Sequence, residues 1–394
     1  MKTMPYAHTI TVGLAIFSML FGAGNLIFPL MVGIESGCHN SFGMAGFILT
    51  AVCLPLAGLI SMILFDGNYQ AFFERVGKRL GRFMIFICMV IIGPLLAIPR
   101  TVTLSHIMVA PFLPFESLKI ITPQSSFIFA LLFLGVTFLA TYRENRIVTI
   151  LGNFISPLLL LSLFAIIIKG MMTAQEPVCS LYGPLQAFKT NFIRGYETLD
   201  LLGGIFFSSI VIHILKNTGG GLVGYSRNKL ALIGLKAGIL GVSLLALVYI
   251  GMSWLSMYHG HGLTMSGDLF RILSIKVLGA HGALIIGTAV LMACLSTSIA
   301  LSAVVSEYFQ VIVFNKKIGY VSTLIMLLLA CIPLSTVGLD YVLELTSGPI
   351  TYIGYPVIIT ITFCNIAYKL FDFKPIQIPV FLTFFAVCAS YFWQ

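Results

Sequence analysis

Eleven long hydrophobic stretches with very few charged residues dominate this chain of 394 residues. Each approaches or exceeds the roughly 20 residues that a helix needs to cross a bilayer. Only 9% of the residues are charged and 59% are hydrophobic, so polar side chains are too few to cover the surface of a water-soluble globule. We therefore predict an all-α polytopic membrane protein with about eleven transmembrane helices, and the pattern leaves room for a twelfth. The stretches span residues 10–33, 43–65, 83–112, 125–141, 147–168, 199–215, 230–257, 279–305, 318–336, 346–367 and 376–393.

The distribution of basic residues predicts the orientation of these helices. Fifteen lysines and arginines lie in segments on the side of the amino terminus and six on the opposite side. Cytoplasmic loops carry the excess of such residues, so the amino terminus is predicted to be cytoplasmic. This bias also explains the formal charge of +9 without a nucleic-acid partner. The first apolar run continues to Val32, beyond the roughly 7–15 residue core of a signal peptide, and is expected to be the first span.

Glycines interrupt two of the stretches midway, at Phe21-Gly22-Ala23-Gly24-Asn25 in the first and at Leu202-Gly203-Gly204 in the sixth. A helix in lipid tolerates an interruption only where the freed backbone groups are buried in protein or line a cavity. Interrupted segments at matching positions of two halves indicate the binding site of a secondary transporter. Within a single transmembrane domain, residues 1–394, we predict two inverted five-helix repeats at about 9–170 and 196–367. An extra helix follows at 376–393.

The broken first helix is predicted to bind both an anion and a cation. Unwinding would expose N–H groups that suit a carboxylate and C=O groups that suit a cation, and the side-chain oxygen of Asn25 could join either network. The alternative is that Gly22 and Gly24 form a small-residue contact between helices. The candidate substrate-binding residues are Phe21, Gly22, Ala23, Gly24, Asn25, Thr198, Asp200, Gly203 and Gly204.

Asp200 is the most informative single residue of the sixth stretch. A carboxylate at membrane depth is costly unless it is paired, and by default it indicates function. The alternative is an interfacial position, because Tyr196 and Glu197 come just before it. Direct binding of a substrate amine or of a cation by Asp200, and a location at the interface, both stay open.

The eighth stretch contains Ala293-Cys294-Leu295-Ser296-Thr297-Ser298, which places adjacent hydroxyls one turn after a small residue. Hard cations prefer oxygen ligands. Two hydroxyls and the Ala293 carbonyl would fit a small cation that faces the broken first helix. Serine and threonine in membrane helices also commonly bond back to their own helix, so the prediction depends on the co-occurrence of this motif with the first break.

Arg100 is the only arginine deep within a predicted span, in the segment Gly93 to Thr101. It could pair with a carbonyl at a proline kink or with an acidic partner. Asp340 and Glu344 are candidate partners, which could otherwise form an external gate. We expect a structural or gating role for Arg100 rather than contact with substrate.

Cysteine usage does not indicate a metal site or a redox motif, because no paired spacing occurs. Most of the eight cysteines fall inside predicted spans, where cysteine acts as a small hydrophobic residue. Cys38 and Cys179 fall in predicted external loops, and a disulfide between them stays open.

Several motifs together resemble the bacterial branched-chain amino acid:cation symporter family. They run in order from the first predicted helix to about the tenth. They are FSMLFGAGNLIFPLMVG at 17–33, GPLLAIPRT at 93–101, GNFISPLLL at 152–160, GYETLD at 195–200, ACLSTSIAL at 293–301 and EYF at 307–309. The resemblance implies uptake of leucine, isoleucine and valine, driven by sodium or protons, across the bacterial inner membrane.

The family is also similar, more weakly, to the sodium-coupled leucine-transporter fold with two inverted five-helix repeats. This similarity implies a cation held by Ala293, Ser296 and Thr297 with first-helix carbonyls near Ser18 and Phe21. It places the substrate between 21–25 and 200–204. This chain departs from that fold in two respects. It is one helix short of the usual twelve, and it has Asp200 where many such transporters have an uncharged residue. The second leaves the choice between sodium and protons open.

Two other functions remain as alternatives. A proton-coupled permease for another neutral amino acid would share the architecture. A membrane-embedded enzyme would need an acid–base or metal cluster such as His-Glu-x-x-His, and the sequence contains none. We expect an amino-acid substrate, a monovalent cation and membrane lipid as partners, and no cofactor beyond the coupling ion, Na⁺ or H⁺. The oligomeric state is not predicted.

Overall fold

The computed structural model describes residues 4–142, 156–174, 176–180, 182–217, 227–263 and 266–393. Each of the eleven hydrophobic stretches is mainly helical over its described residues, and these residues contain no β-strand. Six helical segments are long and apolar enough to cross a membrane, and four shorter apolar helices accompany them in the described part of the chain. The all-α prediction is confirmed, whereas the count of eleven spans stays a prediction.

Eighteen α-helices are described, and three π-helical segments interrupt or join them, at Ile91–Leu95, Phe309–Val313 and Ile350–Gly354. The α-helices are α1 Met4–Leu20, α2 Ala23–Ser36, α3 Asn40–Ala51, α4 Cys53–Leu64, α5 Tyr69–Glu74, α6 Lys78–Val90, α7 Ala97–Val109, α8 Glu116–Lys119, α9 Pro123–Thr141, α10 Ser156–Met172, α11 Pro184–Arg194, α12 Asp200–Asn217, α13 Arg227–His259, α14 Leu269–Tyr308, α15 Tyr320–Thr336, α16 Leu339–Thr346, α17 Tyr355–Phe371 and α18 Gln377–Phe392.

The first span is broken where the glycine pattern predicts. Helix α1 ends at Leu20 and α2 begins at Ala23, with Phe21 and Gly22 between them. The Gly22 N–H donates to the side-chain oxygen of Asn25 at 3.0 Å, which satisfies one of the donors freed at the start of a helix. The predicted break in the first helix is therefore confirmed.

The sixth span is also broken, but not at Gly203 and Gly204 as predicted. A 3₁₀ turn, Gly195–Thr198, ends at Leu199, whose φ of 62° is left-handed, and α12 starts at the next residue. This conformation costs a residue other than glycine roughly 1–2 kcal/mol, so the surrounding structure must hold it in place. Gly203 and Gly204 instead lie inside α12.

Gly204 has a packing role that explains why the sixth stretch contains a glycine there. A Cβ added at Gly204 would lie 2.4 Å from the carbonyl oxygen of Pro55 in α4. The glycine thus lets the backbones of α12 and α4 approach closely, as small residues do between membrane helices. A glycine in a membrane helix can mark such a contact instead of a break.

The two breaks lie together at the centre of the molecule. Helices α1 and α2 both pack along α13, α12 packs against α4, and α14 packs against α7. The side chains around the first break, among them Phe17, Phe21 and Leu26, are fully buried. The two interrupted helices therefore lie against each other, with α4, α7, α13 and α14 packed around them.

Cys38 and Cys179 are both exposed free thiols. The segments that contain them are neighbours, because a Cβ added at Gly37 would lie 2.9 Å from the backbone of Cys179. The two cysteines are not bonded to each other in this structure, and the question of a disulfide between them, left open by the sequence, stays open.

Replacement of Gly204 by alanine should destabilise the protein, and the same change at Gly135 should not. In α12 the new Cβ would collide with the Pro55 carbonyl, and such overpacking typically costs about 1–3 kcal/mol. At Gly135 in α9 nothing lies within 4 Å of the added Cβ, so the higher helix propensity of alanine, about 1 kcal/mol, should prevail. Thermal unfolding of the purified variants measures both; equal midpoints would contradict the close approach.

Candidate functional site

Oxygen atoms from α14 and from the end of α1 converge beside the first break. Thr297 Oγ1 lies 3.2 Å from the carbonyl oxygen of Phe21 and 3.5 Å from that of Ser18. Ser296 Oγ lies 3.1 Å from the Ser18 carbonyl and 2.7 Å from the Ala293 carbonyl, and it accepts from Ser18 Oγ at 3.2 Å. The five residues predicted to hold a cation therefore lie together. Ser296 also bonds back to its own helix, as the alternative interpretation held.

Asn25, Asp200 and Tyr249 form a buried hydrogen-bonded group between the two breaks. Asn25 Nδ2 donates to Asp200 Oδ2 at 2.6 Å and also contacts the Tyr249 hydroxyl, which itself donates to Asp200 Oδ2 at 2.9 Å. All three side chains are at most 4% exposed. Asp200 is thus buried within the protein. The uncharged side chains of Asn25 and Tyr249 donate to the same carboxylate oxygen of Asp200. These hydrogen bonds connect α2, α12 and α13.

Arg100 of α7 donates hydrogen bonds to backbone carbonyls at the end of the 3₁₀ turn Gly195–Thr198, which precedes the sixth break. Its two terminal nitrogens donate to the carbonyl oxygens of Glu197 at 2.8 Å and Thr198 at 3.1 Å. The guanidinium also lies 5.7 Å from the ring centre of Phe28, within the range of a cation–π contact. A Cβ at Gly24 would lie 2.9 Å from its Nη2. Arg100 therefore contacts both broken helices.

The acidic residues considered as partners of Arg100 lie elsewhere. Asp340 accepts a hydrogen bond from the Gly267 N–H at 2.9 Å. Among the described residues no ion pair joins Arg100 to Asp340 or Glu344. The proposed pairing of Arg100 with these two residues is therefore wrong, and the carbonyls that it binds come from the sixth span instead of its own proline kink.

Two tyrosines at the site were not predicted from the sequence. Tyr249 of α13 completes the group around Asp200, and the Tyr355 hydroxyl accepts the Leu201 N–H at 2.9 Å. Both side chains are at most 2% exposed. Their partners are 49 and 154 residues away along the chain. A tyrosine in an apolar stretch normally needs a hydrogen-bond partner when it is buried, and that requirement was the available signal.

A cavity of about 30 Å³ lies between the two breaks. This is enough for a water molecule, which needs at least about 10–15 Å³, but not for an amino acid. Most of the predicted substrate-binding residues line it. Three do not: the Phe21 side chain stacks on Phe17, Gly24 faces Arg100 and Gly204 faces Pro55. The polar and glycine residues of the lining are Gly22, Asn25, Arg100, Thr101, Thr198, Asp200, Gly203 and Thr297.

Comparison with known proteins identifies the family. The family described as "Branched-chain amino acid transport protein" matches residues 5–392. The chain belongs to this family. A putative branched-chain amino acid carrier protein of Staphylococcus epidermidis is 30% identical over an alignment of 399 positions. The alignment covers 95% of this chain and 86% of the relative. The branched-chain amino acid permease BraB of Bacillus subtilis is 30% identical over 380 residues, with 94% and 82% covered.

A solved structure shares the fold of this family member. MhsT in complex with L-phenylalanine matches with a TM-score of 0.61 at 15% identity, over 95% of this chain and 98% of MhsT. At this identity the likeness shows the fold alone. The resemblance to a branched-chain amino acid transport family and to the leucine-transporter fold is confirmed, and the relatives are transporters, not enzymes.

Tyr249→Phe should destabilise this transporter because it removes a donor from a buried carboxylate. The loss of a hydrogen bond to a charged group costs roughly 1.5–3 kcal/mol. The matched control is Tyr341→Phe in α16, whose side chain is 53% exposed and has no recorded hydrogen bond within the described residues. Thermal unfolding compares the two. A Tyr249→Phe midpoint equal to that of the control would show that the Asp200 group contributes no stability.

Proposed function

We propose that this chain is a secondary active symporter that imports leucine, isoleucine and valine by alternating access, coupled to a cation. Membership of a branched-chain amino acid transport family supports the substrate class. The observation that supports coupling of transport to a cation is the cluster of oxygens beside the broken first helix, from Ser18, Phe21, Ser296 and Thr297. We place the protein in the bacterial inner membrane with a cytoplasmic amino terminus.

Sodium is the coupling ion that the oxygen cluster favours. Carbonyl and hydroxyl oxygens are the ligands that hard cations prefer, and the Phe21 carbonyl belongs to the unwound residues after α1. The negative end of a helix dipole adds to the attraction at this position. Ser18, Phe21, Ala293, Ser296 and Thr297 would hold the ion. None of these ligands is a carboxylate, and a set of uncharged oxygen ligands suits a cation that carries a single charge.

The substrate would bind between the two breaks, with its carboxylate at the start of α2. The Gly22 N–H is already bonded to Asn25, which leaves the N–H groups of Ala23 and Gly24 in the first turn to face an anion. Arg100 also lines the cavity, and its Nε, which is buried with no hydrogen-bond partner in the described part of the molecule, would be a second donor to the carboxylate. Asp200 would attract the amine.

The apolar part of the same cavity would take the branched side chain. Leu20, Ile92, Phe207 and Leu301 line it. The cavity must expand for a substrate to enter, so the described conformation corresponds to a collapsed site. An apolar pocket separates side chains that differ by one methylene by only about 1–3 kcal/mol. Leucine, isoleucine and valine should therefore compete with one another for uptake.

Coupling in this proposal is a linkage between two neighbouring sites. The Phe21 carbonyl would contact the cation, while Ala23 and Gly24, two and three residues later, would contact the substrate. A cation that fixes the break in the binding geometry raises the affinity for substrate, and the substrate raises the affinity for the cation by the same factor.

A second candidate is proton coupling through Asp200. The Asp200 side chain is 4% exposed, and its carboxylate accepts hydrogen bonds from the neutral side chains of Asn25 and Tyr249. Because neither partner neutralises the carboxylate, a proton would do so in a transport cycle. A permease for another neutral amino acid would use the same contacts. The binding of L-phenylalanine by MhsT, a protein of this fold, shows that the fold accommodates such a substrate elsewhere.

Thr297→Ala should abolish sodium-driven accumulation of radiolabelled leucine in proteoliposomes, because it removes a ligand from the cation site. Thr297→Ser retains the hydroxyl and should keep most of the activity. Thr288→Ala in the same helix is the matched control, since Thr288 is exposed and, among the described residues, its hydroxyl bonds only to the Leu284 carbonyl of its own helix. Sodium-driven uptake by Thr297→Ala at the level of the Thr288→Ala control would exclude this site for the ion.

Asp200→Asn separates the two coupling candidates. Under an imposed sodium gradient, the sodium proposal expects accumulation by wild type, whereas under a proton gradient alone it expects none. If a proton gradient drives accumulation that is lost in Asp200→Asn and retained in Thr297→Ala, coupling lies in the sixth span. Absence of leucine accumulation by wild type under either gradient would overturn the substrate assignment.

A further inference from the structure

A second cavity is an apolar groove on the outer face of the helices, and its lining differs from that of the polar cavity between the breaks. Its volume is about 460 Å³, within the roughly 300–1,000 Å³ of typical ligand pockets. Helices α6, α17 and α18 and the π-helical segment 350–354 form its walls. Apart from the Tyr355 hydroxyl and the Cys88 thiol, the lining is hydrocarbon or backbone. A ligand of this groove must therefore be apolar over most of its length.

One wall of the groove is a helical stripe that begins with a basic residue. Phe83, Met84, Ile87 and Ile91 line the groove at helical spacing, and Arg79 lies one turn before Phe83 on the same stripe. From Arg79 to Ile91 the helix rises about 18 Å, which is close to half of the roughly 30 Å hydrocarbon core. The stripe thus has the length of one leaflet.

The basic end of this wall meets the segment before α18, where the exposed Lys374 pairs with Asp372 at 3.3 Å. Arg75 donates to the carbonyl oxygens of Phe373 and Lys374 at 3.1 and 3.2 Å, so Lys374 lies beside the start of α6. Lys78 and Arg79 are exposed and form no ion pair with other described residues. These residues belong to the side predicted to be cytoplasmic, where anionic lipids attract basic segments.

The floor of the groove is part of the sixth span, directly after its break. Leu202 lines the groove, and Tyr355 lines it while its hydroxyl accepts the Leu201 N–H at 2.9 Å. Both residues are at most 3% exposed. Two π-helical segments, Ile91–Leu95 and Ile350–Gly354, reach the same groove, and such segments often occur at functional sites.

We propose that the groove binds one acyl chain of an anionic phospholipid whose phosphate lies between Arg79 and Lys374. The apolar lining accepts the chain, the length of the stripe matches one leaflet, and the basic end is complementary to the headgroup. The bound chain supports the first turn of α12 through Leu202 and Tyr355. The lipid is thereby a ligand that stabilises the geometry of the sixth break.

Native mass spectrometry of the detergent-purified protein tests this binding without reference to transport. The probes are phosphatidylglycerol and phosphatidylcholine with identical acyl chains. We expect a phosphatidylglycerol adduct that survives detergent removal, and a rise in the thermal unfolding midpoint with added phosphatidylglycerol, because a ligand of the native state stabilises it. Ile353→Trp, which fills the groove, should reduce the adduct at least fivefold.

Substitutions at exposed basic residues keep the test independent of groove packing. The double variant Arg79→Gln, Lys374→Gln should also reduce the adduct at least fivefold. The matched controls are Lys316→Gln with Lys317→Gln for charge, and Leu382→Trp on α18 for bulk, since Leu382 is 65% exposed and outside the groove. Both controls should bind phosphatidylglycerol as wild type does.

Three results would overturn the proposal. Equal retention of phosphatidylcholine would remove the role of the headgroup charge. An undiminished adduct in Ile353→Trp or in the double glutamine variant would place the lipid elsewhere. A dimer that is lost in Ile353→Trp, without a lipid adduct, would show that a second copy of the chain covers the groove.

Discussion

The structure depends on the need to satisfy backbone groups that are freed where a helix is broken inside a membrane protein. Unsatisfied groups of this kind cost several kcal/mol each in hydrocarbon. At the first break, Thr297 contacts the Phe21 carbonyl and Asn25 accepts the Gly22 N–H. At the sixth, Arg100 binds the Glu197 and Thr198 carbonyls. The side chains that would bind ligands are thus the ones that stabilise the breaks.

The same requirement connects the two breaks to each other. Asn25 accepts from the backbone of the first break through its oxygen and donates to Asp200 through its nitrogen. Asp200 starts the helix that follows the sixth break. A change of geometry at one break therefore alters the hydrogen bonds available at the other. Tyr249 connects this pair to α13, because its hydroxyl donates to Asp200.

The first break was predictable because its sequence carries local signals, two glycines and an asparagine within four residues. The approach of Ser296 and Thr297 to the first break was predictable from the hydroxyl pair together with that break, and the resemblance to the leucine-transporter fold added Ser18 and Phe21. The sixth break was placed incorrectly, because Leu199 has no local signal for a left-handed conformation and the nearby glycines serve helix packing. Tyr249 and Tyr355 could not be assigned, since their partners depend on contacts across the folded chain.

The hydroxyl groups around the first break have a further consequence for how fast an ion can exchange. A hydroxyl is both donor and acceptor. Ser296 and Thr297 donate to carbonyls in the described structure, and rotation about one C–O bond would turn each lone pair toward an arriving ion. Each carbonyl would then bind the cation in place of a hydrogen bond from the hydroxyl, which keeps its proton, without any change in the backbone. An ion at such a site would require of the protein only rotation about single bonds, which leaves the larger rearrangements of a cycle to the helices.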